Sequence, residues 1–104
     1  MLYNFEWDPK KASSNNNKHK VSFELAATIF NDPMALSLFD EKHSSKVEER
    51  WVSIGISSLG NLLVVVHTFK EVSGDTSVIR IISARKATKN ERKQYEGKEN
   101  GKRI

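Results

Sequence analysis

The segment Leu62–Phe69 is apolar apart from His67 and Thr68. A run of this length, rich in valine and leucine, has one ready use in a folded domain: a central strand covered on both faces. The flanking sequence has to provide the covering layers. Before it, Val47–Ser57 alternates, with Arg50, Val52, Ile54 and Ile56 on one side and Trp51, Ser53 and Gly55 on the other. Ser58–Asn61 reads as a turn. After it, Glu71–Asp75 contains Gly74 and turns the chain into a last strand, Ser77–Ala84. Met34–Phe39 reads as a further strand, followed by the polar loop Asp40–Lys46. Successive strands with short connections predict a four-strand antiparallel meander.

The ends of the chain carry helix signals. Tyr3–Trp7 is a short first strand, and Asp8-Pro9 then places an N-cap before a proline at the first helical position. The helix this announces, about residues 9–19, is poor in helix formers, because Ser13–Asn17 compete with their own backbone. Lys11, Asn15, Lys18 and His19 fall on one face of it, so it is expected to present polar groups. Ser22 caps a second helix in which Phe23, Ala26, Ala27 and Phe30 share a face, until Asn31-Asp32-Pro33 stops it. Thr88 and Glu91 fit a capping box for a last helix running to about Gly97. The expected architecture is α+β, one domain over residues 1–97, with 98–104 a frayed basic tail.

Composition narrows the chemistry. The 104 residues include no cysteine, which excludes disulfides, thiolate zinc sites and cysteine nucleophiles. No run approaches the ~18 apolar residues of a membrane span and the N-terminus is no signal peptide, so the expected location is the cytoplasm. No His/Asp/Glu cluster has metal-ligand spacing, so neither a metal nor another cofactor is expected. The net charge of +4 is unevenly spread. Residues 9–20 hold four lysines and no acid, residues 21–79 hold eight acids against four bases, and residues 80–104 hold nine bases against three acids. Two basic segments around an acidic middle are the footprint of a polyanion partner.

Individual residues then stand out. Arg80 interrupts an apolar strand between Ile79 and Ile81, so it requires either a phosphate or a salt-bridge partner such as Glu6 or Glu49. Arg50, between Glu49 and Trp51, is in the same position. Arg85 lies where the last strand leaves the sheet, suited to a phosphate or simply exposed. His19 shares its face with Lys11 and Lys18, as an acid–base group or as a histidine favoured by the helix dipole. His67 reads as a hydrogen-bonded core residue, and no role is assigned to His43. Trp7 and Trp51 suit base stacking, the core or a protein interface; Tyr95 supplies a hydroxyl or pins the last helix.

A family pattern runs through these residues. Phe5-Glu6-Trp7-Asp8 is followed by Lys11, Asn15, Lys18-His19, Val21 and Phe23-Glu24. Then come Glu49-Arg50-Trp51 with Ile54-Gly55, Leu63–Thr68, and Arg80–Thr88 with Glu91-Arg92 and Tyr95-Glu96. In order and spacing this resembles the BrnT toxins of type II toxin–antitoxin systems, over roughly residues 3–96. Two positions depart from the pattern: Lys20 stands where the family usually has glycine, and Asn16 where an apolar residue is common.

The resemblance implies a RelE-like α+β endoribonuclease neutralised by a BrnA-like ribbon-helix-helix antitoxin in a hetero-oligomer. Because the sequence has no metal-ligand cluster, its cleavage of RNA is expected to proceed without a metal, by attack of the 2′-hydroxyl. Operator DNA would be reached only through that antitoxin, and no membrane is involved. On this reading Arg80, Arg50, Arg85 and His19 are the catalytic candidates, Lys11, Lys18, Lys86 and Tyr95 bind RNA, and Trp7 and Trp51 face the antitoxin. Two other functions fit the same chain. One is a ParE-like toxin that binds a protein target such as gyrase; the other is a noncatalytic nucleic-acid-binding module.

Overall fold

The computed structural model describes residues 2–97. Five strands form one sheet in the order β1-β5-β4-β3-β2: β1 Leu2–Glu6, β2 Leu36–Phe39, β3 Glu49–Ile56, β4 Leu62–Ser73 and β5 Thr76–Lys86. Three helices complete it: α1 Pro9–His19, α2 Phe23–Ala27 and α3 Lys89–Glu96. The expected meander is β2 to β5, paired antiparallel throughout. The first strand joins its far edge and runs parallel to β5, from Leu2 opposite Thr76 to Glu6 opposite Arg80. The basic tail expected at 98–104 lies outside the described residues.

Leu62–Phe69 is indeed central, and the two layers differ in size. On one face α1 and α2 lie against β5. Val21, Phe23, Ala26 and Ile29 pack there with Leu63, Val65, Ile79, Ile81 and Ala84 as the main core. On the other face Leu36, Ile54, Leu62 and Val64 form a smaller core, closed by Ala87 and Tyr95. The alternation read in β3 holds: Val52 and Ile56 flank this second core, while Gly55 turns toward the first. A side chain at Gly55 would stand 3.0 Å from Ile29 Cβ and 3.3 Å from its carbonyl oxygen, so glycine admits the chain that follows α2.

Several boundaries moved for local reasons. The second helix ends at Ala27 and tightens into a 3₁₀ turn, Thr28–Asn31, so Phe30 is not on the helix face predicted for it. Thr28 Oγ1 donates to the Leu25 carbonyl and accepts the Ser58 amide, tying the tightened turn to the β3–β4 turn. The β2 strand starts only at Leu36, because the Asp32 carboxylate accepts the Met34 amide and holds residues 32–34 as a turn. The β4 and β5 strands run past their apolar sections and meet at a two-residue turn, Gly74-Asp75.

All three helix starts follow their caps. Asp8 accepts the Lys10 amide, Ser22 the Leu25 amide and Thr88 the Glu91 amide, and Glu91 returns a bond to the Thr88 amide. The end of α1 is less ordinary. Lys20 adopts φ 59°, ψ 33°, the left-handed conformation, and its amide donates to Asn16 O. It is the one non-glycine residue with positive φ among the described residues, and it occupies the position where glycine was the expectation.

Candidate nucleic-acid interface

Beyond Arg80, β1 no longer covers β5, and α1 takes its place. Asn15, expected on an exposed polar face, is instead 7% exposed and turned inward. Its Nδ2 donates to the Val21 and Ala84 carbonyls, and its Oδ1 accepts the Ala84 amide. The side chain therefore completes the β5 edge in the way another strand would. Here β5 also carries a bulge: Val66 faces Ser83 and His67 faces Ile81, which leaves Ile82 as the extra residue. The bulge lets Ile81 and Ala84 both enter the main core while Arg80 stays outside it.

Against this edge lie two adjoining hollows. The first, about 250 Å³, is lined by Asp8, Lys11, Glu48, Arg50, Arg80, Ile81 and Ile82. The second, about 220 Å³, is lined by Lys11, Ser14, Asn15, Lys18, His19, Ile82 and Ser83. Lys11 and Ile82 belong to both, so one groove runs from Arg50 and Arg80 to Lys18 and His19. Three sequence elements deliver its basic groups, α1, β3 and β5, and the loop before β3 adds Glu48.

The electrostatics of the first hollow are unusual. Arg80 Nη2 donates to Glu48 Oε2 at 2.6 Å, with side-chain exposures of 47% and 43%. The salt-bridge partner is thus Glu48, and neither Glu6 nor Glu49, the two acids that the sequence suggests. Glu48 stands at the end of a turn that brings it inward, with its amide on Ser45 Oγ and its carbonyl accepting the Ser45 amide. Arg50 is half-buried, and its Nε is the one buried side-chain nitrogen or oxygen without a hydrogen bond among the described residues. Such an N–H wants an acceptor, and Arg50 is one of the residues that line the hollow.

The other predicted residues lie elsewhere. Arg85 projects toward α3 and forms a two-pronged bond with Glu91, Nη1 to Oε1 and Nη2 to Oε2, both 2.7 Å. That pairing raises the Arg85 pKa and holds the Glu91 carboxyl down at about 2. Both prongs being taken, Arg85 clamps α3 to β5 rather than standing free for a phosphate. Lys86 is exposed next to it. The Tyr95 hydroxyl donates to Asp32 Oδ2, which also accepts the Ile56 amide, so this tyrosine does pin the last helix. Trp7 packs edge-on against Phe23 beside the main core.

Trp51 lines a separate aromatic cavity of about 290 Å³ on the α2 side of the sheet, with Tyr3, Phe30, Ser37, His67 and Phe69 among its walls. As expected, His67 is a buried, hydrogen-bonded residue at 4% exposure. Its Nδ1–H donates to the Thr68 carbonyl, which leaves Nε2 to accept from Ser53 Oγ at 2.7 Å. Burial lowers its pKa. His43 is exposed and pairs with Asp40.

Among the described residues no three His, Asp or Glu side chains converge as a metal site, and no helix is long and apolar enough to cross a membrane. No curated protein matches the sequence. The fold is similar to the crystal structure of the Brucella abortus ribonuclease toxin BrnT, with a TM-score of 0.52 over 86% of this chain and 100% of that one, at 19% identity. Residues 7–91 match the family model described as the ribonuclease toxin BrnT of type II toxin–antitoxin systems. That span contains α1, β2 to β5 and the groove residues Asp8, Lys11, His19, Glu48, Arg50 and Arg80. The chain belongs to the BrnT family of type II toxin–antitoxin ribonuclease toxins.

Proposed function

We propose that the groove along the β5 edge is the ribonuclease centre, and that it cleaves RNA without a metal by attack of the substrate's own 2′-hydroxyl on the adjacent phosphorus. The observation that carries this reading is the meeting of Lys11, Arg50 and Arg80 in one hollow from three distant parts of the chain. The reaction builds negative charge on the phosphoryl oxygens. Guanidinium and ammonium groups already positioned there stabilise that charge with little reorganisation. Arg80 and Arg50 hold the scissile phosphate, the buried Arg50 Nε–H gaining an acceptor when it arrives. Lys18 and His19 line the adjoining hollow and take a neighbouring phosphate of the single strand. Lys86 is an outlying cation on the same strand, while Arg85 and Tyr95 contribute by anchoring α3.

The label RelE-like is part of this reading, as is a cytoplasmic site of action against cellular RNA. The partner is a BrnA-like antitoxin with a ribbon-helix-helix part, which would bring the complex to operator DNA. Trp51 and the aromatic cavity around it give such a partner an apolar anchor point apart from the basic groove. Trp7 sits beside the start of α1, where the same partner could reach the groove. Purified protein incubated with RNA in EDTA tests the mechanism. The expected products carry 2′,3′-cyclic phosphate and 5′-hydroxyl ends; activity that disappears on chelation sinks the metal-free route.

A further inference from the structure

The cations of the groove account for phosphate binding but not for removal of the 2′-hydroxyl proton. Five side chains with charge line the first hollow, and only Asp8 and Glu48 among them can accept a proton. Asp8 Oδ1 accepts the Lys10 amide at 2.8 Å and caps α1, and among the described residues neither arginine of the hollow pairs with it. Glu48 is differently placed. Its Oε2 lies against Arg80 Nη2, and its backbone is held on both sides by Ser45. His19 follows Lys11 by eight residues on α1, about 12 Å along the axis at 1.5 Å per residue. It belongs to the neighbouring hollow.

We infer that Glu48 is the general base of the cleavage reaction, delivered to the scissile phosphate by the same guanidinium that binds that phosphate. The inference rests on the ribonuclease reading above and names the group which that reading leaves unassigned. A phosphate entering beside Arg80 puts the 2′-oxygen of the preceding nucleotide next to the Glu48 carboxylate. The carboxylate takes the 2′-hydroxyl proton as the oxygen bonds to phosphorus, and the bond from phosphorus to the 5′-oxygen breaks. That leaving oxygen takes a proton from the Lys11 ammonium, the one cation of the hollow able to release it, because arginine stays charged. Solvent then removes the proton from Glu48 and restores that of Lys11. Each bond formed is matched by one broken, and no co-reactant is needed.

The opposite role for the same contact is a latch, in which Glu48 merely occupies the phosphate position on Arg80. Single-turnover cleavage of an RNA oligonucleotide in EDTA separates the two, comparing wild type with Glu48→Gln and Glu48→Asp. A base predicts that Glu48→Gln lowers the first-order rate by about 100-fold or more while binding of a 2′-deoxy analogue is kept or tightened. The rising acidic limb of the pH–rate profile also disappears, and Glu48→Asp retains that limb at an intermediate rate. Unchanged melting temperatures show that the variants fold, and Glu48→Asp covers the case in which the glutamine variant does not. A Glu48→Gln protein that cleaves as fast as wild type, or faster, overturns the assignment and leaves the ribonuclease reading intact. Wild-type protein that leaves RNA uncut overturns both.

Discussion

Asn15 and Ala84 exchange two hydrogen bonds, 69 residues apart in sequence: Ala84 N–H donates to Asn15 Oδ1 at 3.1 Å, and Asn15 Nδ2 donates to Ala84 O at 2.9 Å. A third bond, to Val21 O, ties the same amide to the link between α1 and α2. One side chain thereby fixes the basic helix to the edge of the sheet at the bulge that shapes the groove. Asn15→Ala leaves an amide and two carbonyls without partners in a dry place and is expected to cost about 3 kcal/mol. Asn15→Asp is expected to be worse, because it sets a carboxylate against two carbonyl oxygens. Urea unfolding of both variants checks the order, and an Asn15→Ala protein as stable as wild type would contradict it.

Lys20 holds a backbone conformation that favours glycine. The left-handed region costs an L-residue roughly 1–2 kcal/mol, part of which glycine gives back through its freer unfolded chain. Lys20→Gly is therefore expected to raise stability by about 0.5–1 kcal/mol, read as a rise in melting temperature. A fall would mean that the lysine side chain contributes something that its exposed position does not reveal.

The Arg85–Glu91 clamp sets an acid limit. Glu91 has a folded pKa of about 2 against an ordinary value of 4.5. Its contribution is complete above pH 4.5 and is lost as pH falls toward 2. Because Arg85 is 42% exposed, solvent screens the pair and the loss on Glu91→Gln at neutral pH is taken as about 1 kcal/mol. Denaturant titrations of the two proteins should converge as pH is lowered through that window. Curves that stay parallel would show that the capping bonds, not the charge, matter.

His67 acts in a higher range. Burial depresses its folded pKa below the ordinary 6.5, so the neutral ring stabilises the fold above that pH. Below it the unfolded chain binds a proton more readily, and stability falls with falling pH. His67→Gln is expected to be less stable at pH 7 and to flatten the pH dependence between about 7 and 5. A variant with the wild-type slope would place the titration elsewhere.

Much of this fold was legible because its signals are local. Asp8, Ser22 and Thr88 each start a helix through bonds to residues two or three positions away, and the period-two pattern of β3 needs only its own segment. Long-range pairings leave no such trace. The parallel contact of β1 with β5 joins the two ends of the domain, and Asn15 looks like a surface residue until Ala84 is beside it. Arg80 was legible as a residue needing a partner, since an arginine between two isoleucines breaks a pattern. Its partner was not, because Glu48 lies 32 residues away, just ahead of β3 and next to the equally plausible Glu49. The tight turn after α2 has a related reason: spacing alone puts Phe30 on the helix face, and one of the two Thr28 bonds at the turn comes from Ser58, 30 residues away.

Whether the Arg80 groove cleaves RNA is read from the cleavage rate of Arg80→Ala in EDTA beside wild type, with both melting temperatures. Arg80 is half-exposed and its ion pair with Glu48 is at the surface, so the variant is expected to fold normally. Loss of one preorganised donor to the phosphate predicts a rate lower by about 100-fold or more. A folded Arg80→Ala protein that cleaves RNA at the wild-type rate would contradict the account.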